Sequence, residues 1–195
     1  MKKYVIIIAI GLSFLTSCDN EEVEIDVLSN QEISDLLFLR EEEKLARDVY
    51  MYSFNKYSQS IFTNISNSEQ SHMNSVLSLL DKYGLTDPVT NNEAGVFANE
   101  ELQELYNQLT DLSDTSLSKA LEVGANIEDL DIKDIETFMS HTTKTDLLNV
   151  YTKLACGSRN HMRSFVSQLG FYTPIYISQS DYEAIINSSN EKCIY

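Results

Sequence analysis

Tryptophan is absent from this 195-residue chain, and proline (2), glycine (6) and cysteine (3) are scarce. With so few turn-forming residues, the tight turns and short strands of an all-β sandwich or barrel have little to be built from, and the expectation moves to helix. Basic residues are also in short supply. Lys and Arg number 14 against 30 Asp and Glu, for a formal charge of −16, and no basic run or basic, aromatic-interleaved stretch offsets it. Such a surface repels phosphate backbones, so nucleic acid is not expected as a partner. Internal repeats and low-complexity tracts are missing as well, and the length fits one domain behind a leader.

The leader is residues 1–17: Lys2-Lys3, an apolar run over 5–15, then small residues up to Cys18. That run falls short of the roughly 20 residues a membrane span needs, and its layout is that of an export signal. Leu15-Thr16-Ser17-Cys18 resembles the lipobox of bacterial lipoproteins, in which cleavage precedes a cysteine that then receives lipid chains. The resemblance implies lipidation of Cys18 and anchoring to the bacterial cell envelope, with the outer membrane as the expected location. Residues 18–29 carry Asp19, Glu21, Glu22, Glu24 and Asp26 without helical periodicity and read as an acidic tether. Outside the cytosol the two remaining cysteines, Cys156 and Cys193, can pair and staple the tail to the last long helix; two unpaired thiols are the alternative.

Apolar residues recurring at three and four positions predict four long helices. The first, over 30–57, shows Leu36, Leu39, Ala46, Tyr50 and Phe54; the second, over 59–83, shows Phe62, Ile65, Met73, Val76 and Leu80 and ends before Gly84. A long crossover with a short helix near 99–112 leads to a third helix over 114–140 (Leu117, Leu121, Ile135, Phe138) and a fourth over 145–169 (Leu147, Val150, Leu154, Phe165). Four such helices imply an all-α, four-helix bundle over 30–170. Residues 171–195, with a small helix near 181–187, read as a C-terminal cap.

Polar residues that interrupt the apolar stripes carry the functional signal. They are Glu43 on the first helix, Glu69 and His72 on the second, Glu128 and Asp131 on the third, and His161, one turn after Ser158, on the fourth. Ionised carboxylates in a core cost several kcal/mol each unless paired, so four together require cations or shared protons. Two divalent metal ions would neutralise Glu43, Glu69, Glu128 and Asp131, and His72 and His161 would add imidazole nitrogens. Taken singly, each residue has a plainer reading. An interior histidine is usually a hydrogen-bonded core residue, Glu41-Glu42-Glu43 is compatible with a solvated turn, and Glu42 competes with Glu43 because Phe38, Leu45 and Val49 share its face.

This set resembles the ferritin-like superfamily, whose two-metal site takes one Glu from each of two helices and a Glu-x-x-His from each of the other two. Glu43-Lys44-Leu45-Ala46-Arg47-Asp48-Val49-Tyr50 is similar to the first ligand segment of rubrerythrin-type domains, Glu69 with His72 to the second, and Gly124 followed by Glu128 to the third. Over about 30–170, the stretches 40–50, 68–73, 123–128 and 157–161 also resemble a bacterial and archaeal family catalogued as domain of unknown function 2202. One departure stands out: Ser158 occupies the place of the Glu in the second Glu-x-x-His. Asp131, on the same face as Glu128, could compensate; otherwise the second ion is weak or absent and a single-ion centre results.

The resemblance implies a lipid-anchored, ferritin-like iron protein, with two ions expected and manganese as the alternative metal, acting as an oxidoreductase on peroxide or dioxygen. Glu43, Glu69, His72, Glu128, Asp131 and His161 would form the metal site, and Tyr50 would hydrogen-bond a bound oxygen species. No Cys-x-x-Cys pair is present for a rubredoxin-type centre, so electrons would come from a separate donor. A non-catalytic metal-binding lipoprotein and a metal-free helical interaction module are the competing readings. The expected partners are the membrane, through Cys18, and that donor; a homodimer is compatible with the sequence.

Overall fold

A computed structural model of the chain describes residues 27–193. The signal segment, Cys18 and most of the acidic tether lie outside the described residues. Six helices make up the described fold: α1 (Asn30–Tyr57), α2 (Ser60–Lys82), α3 (Glu100–Ser113), α4 (Leu117–Ser140), α5 (Thr145–Leu169) and α6 (Gln179–Ile186). The all-α helical bundle expected from the periodicity is what forms.

Local chemistry sets the helix ends. Ser29 opens α1 through a capping box, its Oγ accepting from the Glu32 amide while Glu32 Oε2 accepts from the Ser29 amide. Ser58, in the left-handed region at φ 52°, closes α1, and α2 begins two residues later. Gly170, at φ 76°, ends α5. The third long helix starts at Leu117, later than the apolar spacing predicts, because Ser116 caps it by accepting from the Lys119 amide.

Helices α1 and α2 pack as one pair and α4 and α5 as another, with α1 against α4 and α2 against α5 closing the bundle. The crossover helix α3 lies on α1 and α4, and α6 lies on α5. At Gly124 the second pair touches so closely that a Cβ there would stand 2.5 Å from the Phe165 ring. The core divides in two. One cluster includes Val49, Tyr50, Phe62, Ile65, Met162 and Phe165. The other includes Leu36, Leu39, Val76, Leu80, Ile135 and Leu154. In sequence Glu43, Glu69 and His72 fall between these clusters on α1 and α2, so a polar layer crosses the middle of the bundle.

Helix α1 is buried nearly all round rather than along one stripe. Arg40, Glu41, Glu42, Glu43, Lys44 and Asp48 are all buried, so the glutamate run is not a solvated turn. The crossover loop folds over it and meets Arg40, Glu41, Lys44 and Asp48. Arg40 pairs with Asp87 at 2.9 Å, Glu41 accepts from the Ala98 and Asn99 amides, and Lys44 reaches Asp48 Oδ2 at 2.6 Å and the Glu93 carbonyl at 2.8 Å under the Phe97 ring.

Candidate metal centre

Four helices converge on two groups of three side chains each. Glu43, Glu69 and His72 form one, and Glu69, Glu128 and His161 form the other; within each group the ligating atoms lie within 4.8 Å of one another. Glu69 belongs to both. Its Oε2 lies 2.7 Å from His72 Nδ1, which is 3.1 Å from Glu43 Oε2. Its Oε1 lies 2.8 Å from His161 Nδ1, which is 3.4 Å from Glu128 Oε2. One carboxylate thus faces both groups, one oxygen to each, and the two imidazoles stack with centroids 5.6 Å apart.

The two groups could hold metal ions, and the donor geometry fits. Two ligands about 2.1 Å from a common ion and at right angles stand about 3.0 Å apart, which is the spacing these side chains already have. Glu43 Oε1 is buried and has no hydrogen-bond partner, so a strong acceptor is held in the core awaiting a positive charge. With protein groups alone, the charge is balanced by protons. Burial opposes the charged form of His72, but Glu43 and Glu69 outweigh it and lift the imidazole well above its ordinary range. His161 rises to about 10, where burial is overcome by Glu69 and Glu128. Burial pushes Glu43 up to about 7 against the pull of His72. Glu69, flanked by both imidazoles, is driven below the usual carboxylate range despite its burial, and burial raises Glu128.

The neighbouring polar groups hold the ligands in place. Tyr50 Oη donates to Glu128 Oε1 at 2.5 Å and stands 3.4 Å from the Gly124 carbonyl, so it orients a carboxylate of the centre. Ser68 Oγ sits 3.0 Å from His161 Nε2; this fixes the ring with Nδ1 toward the carboxylates. The serine immediately precedes Glu69, yet nothing in its spacing marks it as a partner of a histidine 93 positions away. Asp131 lies outside both three-residue groups. Its Oδ2 accepts from Ser158 Oγ, and its Oδ1 is buried without a partner. Of the two, Glu43 and not Glu42 joins the ligand groups: both are buried, Glu43 facing His72 and Glu42 having neither oxygen partnered.

Two further features tie the tail to this framework. Cys156 on α5 and Cys193 are joined in a disulfide. Asp129, fully buried beside Glu128, accepts from Tyr172 Oη and from the amides of Ile175, Tyr176 and Ile177. Nothing in the apolar spacing marks this second role for an inward carboxylate, because its partners lie in the irregular segment after α5. Among the described residues, no helix is long and apolar enough to cross a membrane.

Comparison with known proteins agrees with this architecture. A crystal structure of the hypothetical protein MJ0754 from Methanococcus jannaschii superposes with a TM-score of 0.83 at 50% identity, covering 84% of this chain and 96% of that one. In sequence, the chain is 50% identical over 169 residues to the uncharacterized protein MJ0754 of Methanocaldococcus jannaschii, covering 85% of this chain and 91% of that protein. Residues 32–189, which contain every member of the two ligand groups, match the family described as uncharacterized protein domain DUF2202, and the chain belongs to that family.

Proposed function

We propose that this chain is a lipid-anchored, ferritin-like protein that holds two iron ions and carries out oxidoreductase chemistry on peroxide or dioxygen. The observation that carries the reading is the sharing of Glu69 between two histidine-carboxylate groups, since one carboxylate facing two donor sets is what a pair of ions requires. Carboxylate and imidazole donors suit ferrous iron, and manganese is the alternative. Two bound ferrous ions would supply the two electrons that, with two protons, reduce one hydrogen peroxide to two waters.

The protein groups have separate tasks in this scheme. Glu69 holds the spacing of the two positions, Tyr50 fixes Glu128, and Ser68 fixes His161. The His161 side chain is 11% exposed, against 0% for His72, so a small oxidant reaches the centre from the His161 side. Cys156 and Cys193 are committed to a disulfide, which supports reduction by a separate donor. The lipobox-like segment ending at Cys18 supports an envelope location, the membrane being a partner through that residue.

Anaerobic loading of the full chain with ferrous iron, followed by elemental analysis, tests the metal reading. Two irons per chain are expected, with both lost in Glu69→Ala and one in Glu43→Ala. Retention of both ions by Glu69→Ala would refute the assignment. Consumption of one peroxide per two ferrous ions, faster than by free ferrous iron, is expected of the oxidoreductase; bound ions without it would mean a metal-binding protein that does not turn over.

A further inference from the structure

Between α3, α4 and the segment after α5 lies a cavity of about 570 Å³, within the size range of small-molecule sites. Its inner wall is apolar, with Leu109 of α3, Val123 of α4 and Tyr172 all buried. Its rim is apolar too: Leu112, Phe171, Ile175 and Tyr176 border it and are exposed, Phe171 at 79% and Ile175 at 67%. The wall formed by the segment after α5 is set in advance. Fully buried Asp129 accepts from Tyr172 Oη and from the amides of Ile175 and Tyr176, so a ligand need not order it.

The polar groups on the wall carry no net charge. Lys119 Nζ and Glu122 Oε2 pair with each other at 2.6 Å, and Ser118, Asn126 and Thr173 offer uncharged hydrogen-bonding groups. A chain of formal charge −16 disfavours anions, and with Glu122 already paired the wall does little to draw a cation. Phe171, Tyr172 and Tyr176 present rings to a ring-shaped guest. The occupant that fits is therefore neutral and aromatic, with hydroxyl groups at its edge.

The cavity's position gives that occupant a use. Val123 and Asn126 line it from one side of α4, while Glu128 points from the other side into the ligand groups. The separation is about the thickness of one helix, 10–12 Å. Across it, Gly124 packs against the Phe165 ring, and Tyr50, with its ring 5.2 Å from that of Phe165, donates to Glu128.

We propose that this cavity binds a neutral hydroquinone, which is the separate reductant of the metal centre; the inference rests on the two-iron reading. Each hydroquinone gives up two electrons and two protons and leaves as the quinone. The electrons return two ferric ions to ferrous, and the two protons match those taken up when one peroxide becomes two waters.

Equilibrium dialysis of the metal-free full chain against tetramethylhydroquinone, without oxygen, tests the site independently of iron. One molecule bound per chain is expected. Leu112→Glu/Phe171→Ser, at two exposed positions, should weaken binding about tenfold by placing a charge at an apolar rim and removing a ring. Circular dichroism checks its helix content, and Phe171→Ser alone replaces it if it does not fold. The iron-loaded, oxidised chain is then mixed with the same hydroquinone or with dithionite. One quinone formed per two ferric ions reduced is expected, and the double variant should lower the hydroquinone rate relative to the dithionite rate. Absence of binding, or binding that the rim substitutions leave unchanged, would overturn the proposal. Binding with no reduction of the ferric ions would overturn it too. A chain that binds the hydroquinone but takes up no iron would refute the two-iron reading, and the reductant role with it.

Discussion

Metal binding at this centre must expel protons, and the number follows from the side chains. Without ions, His72 and His161 are both held protonated at pH 7 by the carboxylates around them, His161 up to about 10. A metal ion takes only the neutral imidazole, so filling both positions displaces about two protons per chain. Glu43, held at about 7, adds up to about half a proton more at neutral pH. Two protons released raise the overall two-ion binding constant about a hundredfold for each unit of pH between 6 and 8. The assay is anaerobic calorimetric titration with ferrous iron in buffers of different ionisation enthalpy, which separates proton release from binding heat. Tight two-ion binding with fewer than about one proton released would refute the reasoning, because it would mean that the imidazoles were already neutral or are not ligands.

The same groups make metal-free stability fall with pH. His161, raised from 6.5 to about 10, contributes stability that is complete below 6.5 and lost as pH climbs through 10; Glu43, raised to about 7, contributes stability complete below 4.5 and lost through 7. Thermal melts of the metal-free chain between pH 5 and 9 should therefore show a falling Tm, and bound metal should abolish the fall. Gly124→Ala drives a methyl into the Phe165 ring at 2.5 Å and should cost about 1–3 kcal/mol, read in denaturant unfolding; an unchanged midpoint would mean that α4 and α5 are less closely held than described. Asp129→Ala strips the acceptor from Tyr172 and three amides, and should cost about 2–3 kcal/mol. Limited proteolysis should then cut first within 171–178, and unaltered protection there would show that the disulfide alone holds the tail.

What the sequence made legible was local. Periodicity located α1, α2 and α5 closely because their apolar residues recur over many turns, and Glu69 and His72 stood out because each replaces an apolar residue on such a stripe. The start of α4 slipped because a cap, not the stripe, decides it. The burial of Arg40, Glu41 and Lys44 was illegible for a different reason: their partners Asp87, Ala98, Asn99 and Glu93 lie in the crossover, tens of residues away. A polar helix face looks solvated until the chain that covers it is placed. Asp129 belongs with these, since an inward carboxylate satisfied by backbone amides cannot be told from a ligand by spacing alone.

In the two-iron reading proposed above, the serine at position 158, standing where the resemblance places a glutamate, redistributes charge across helices. Glu43, Glu69 and Glu128 would offer three negative charges to two divalent ions held there, leaving one positive charge in a buried layer. A fourth carboxylate on α5 would cancel it. Instead α5 presents a hydroxyl that binds Asp131 on α4, so a further carboxylate stands nearby without joining either ligand group. A single shared carboxylate then joins the two groups, and Glu69 becomes the residue on which the whole centre depends. Coordination positions that a second shared carboxylate would fill would, in this reading, stay available to a small oxygen ligand. A missing ligand and a balanced charge would be compatible in such a centre, because long-range Coulomb balance needs only proximity whereas ligation needs contact.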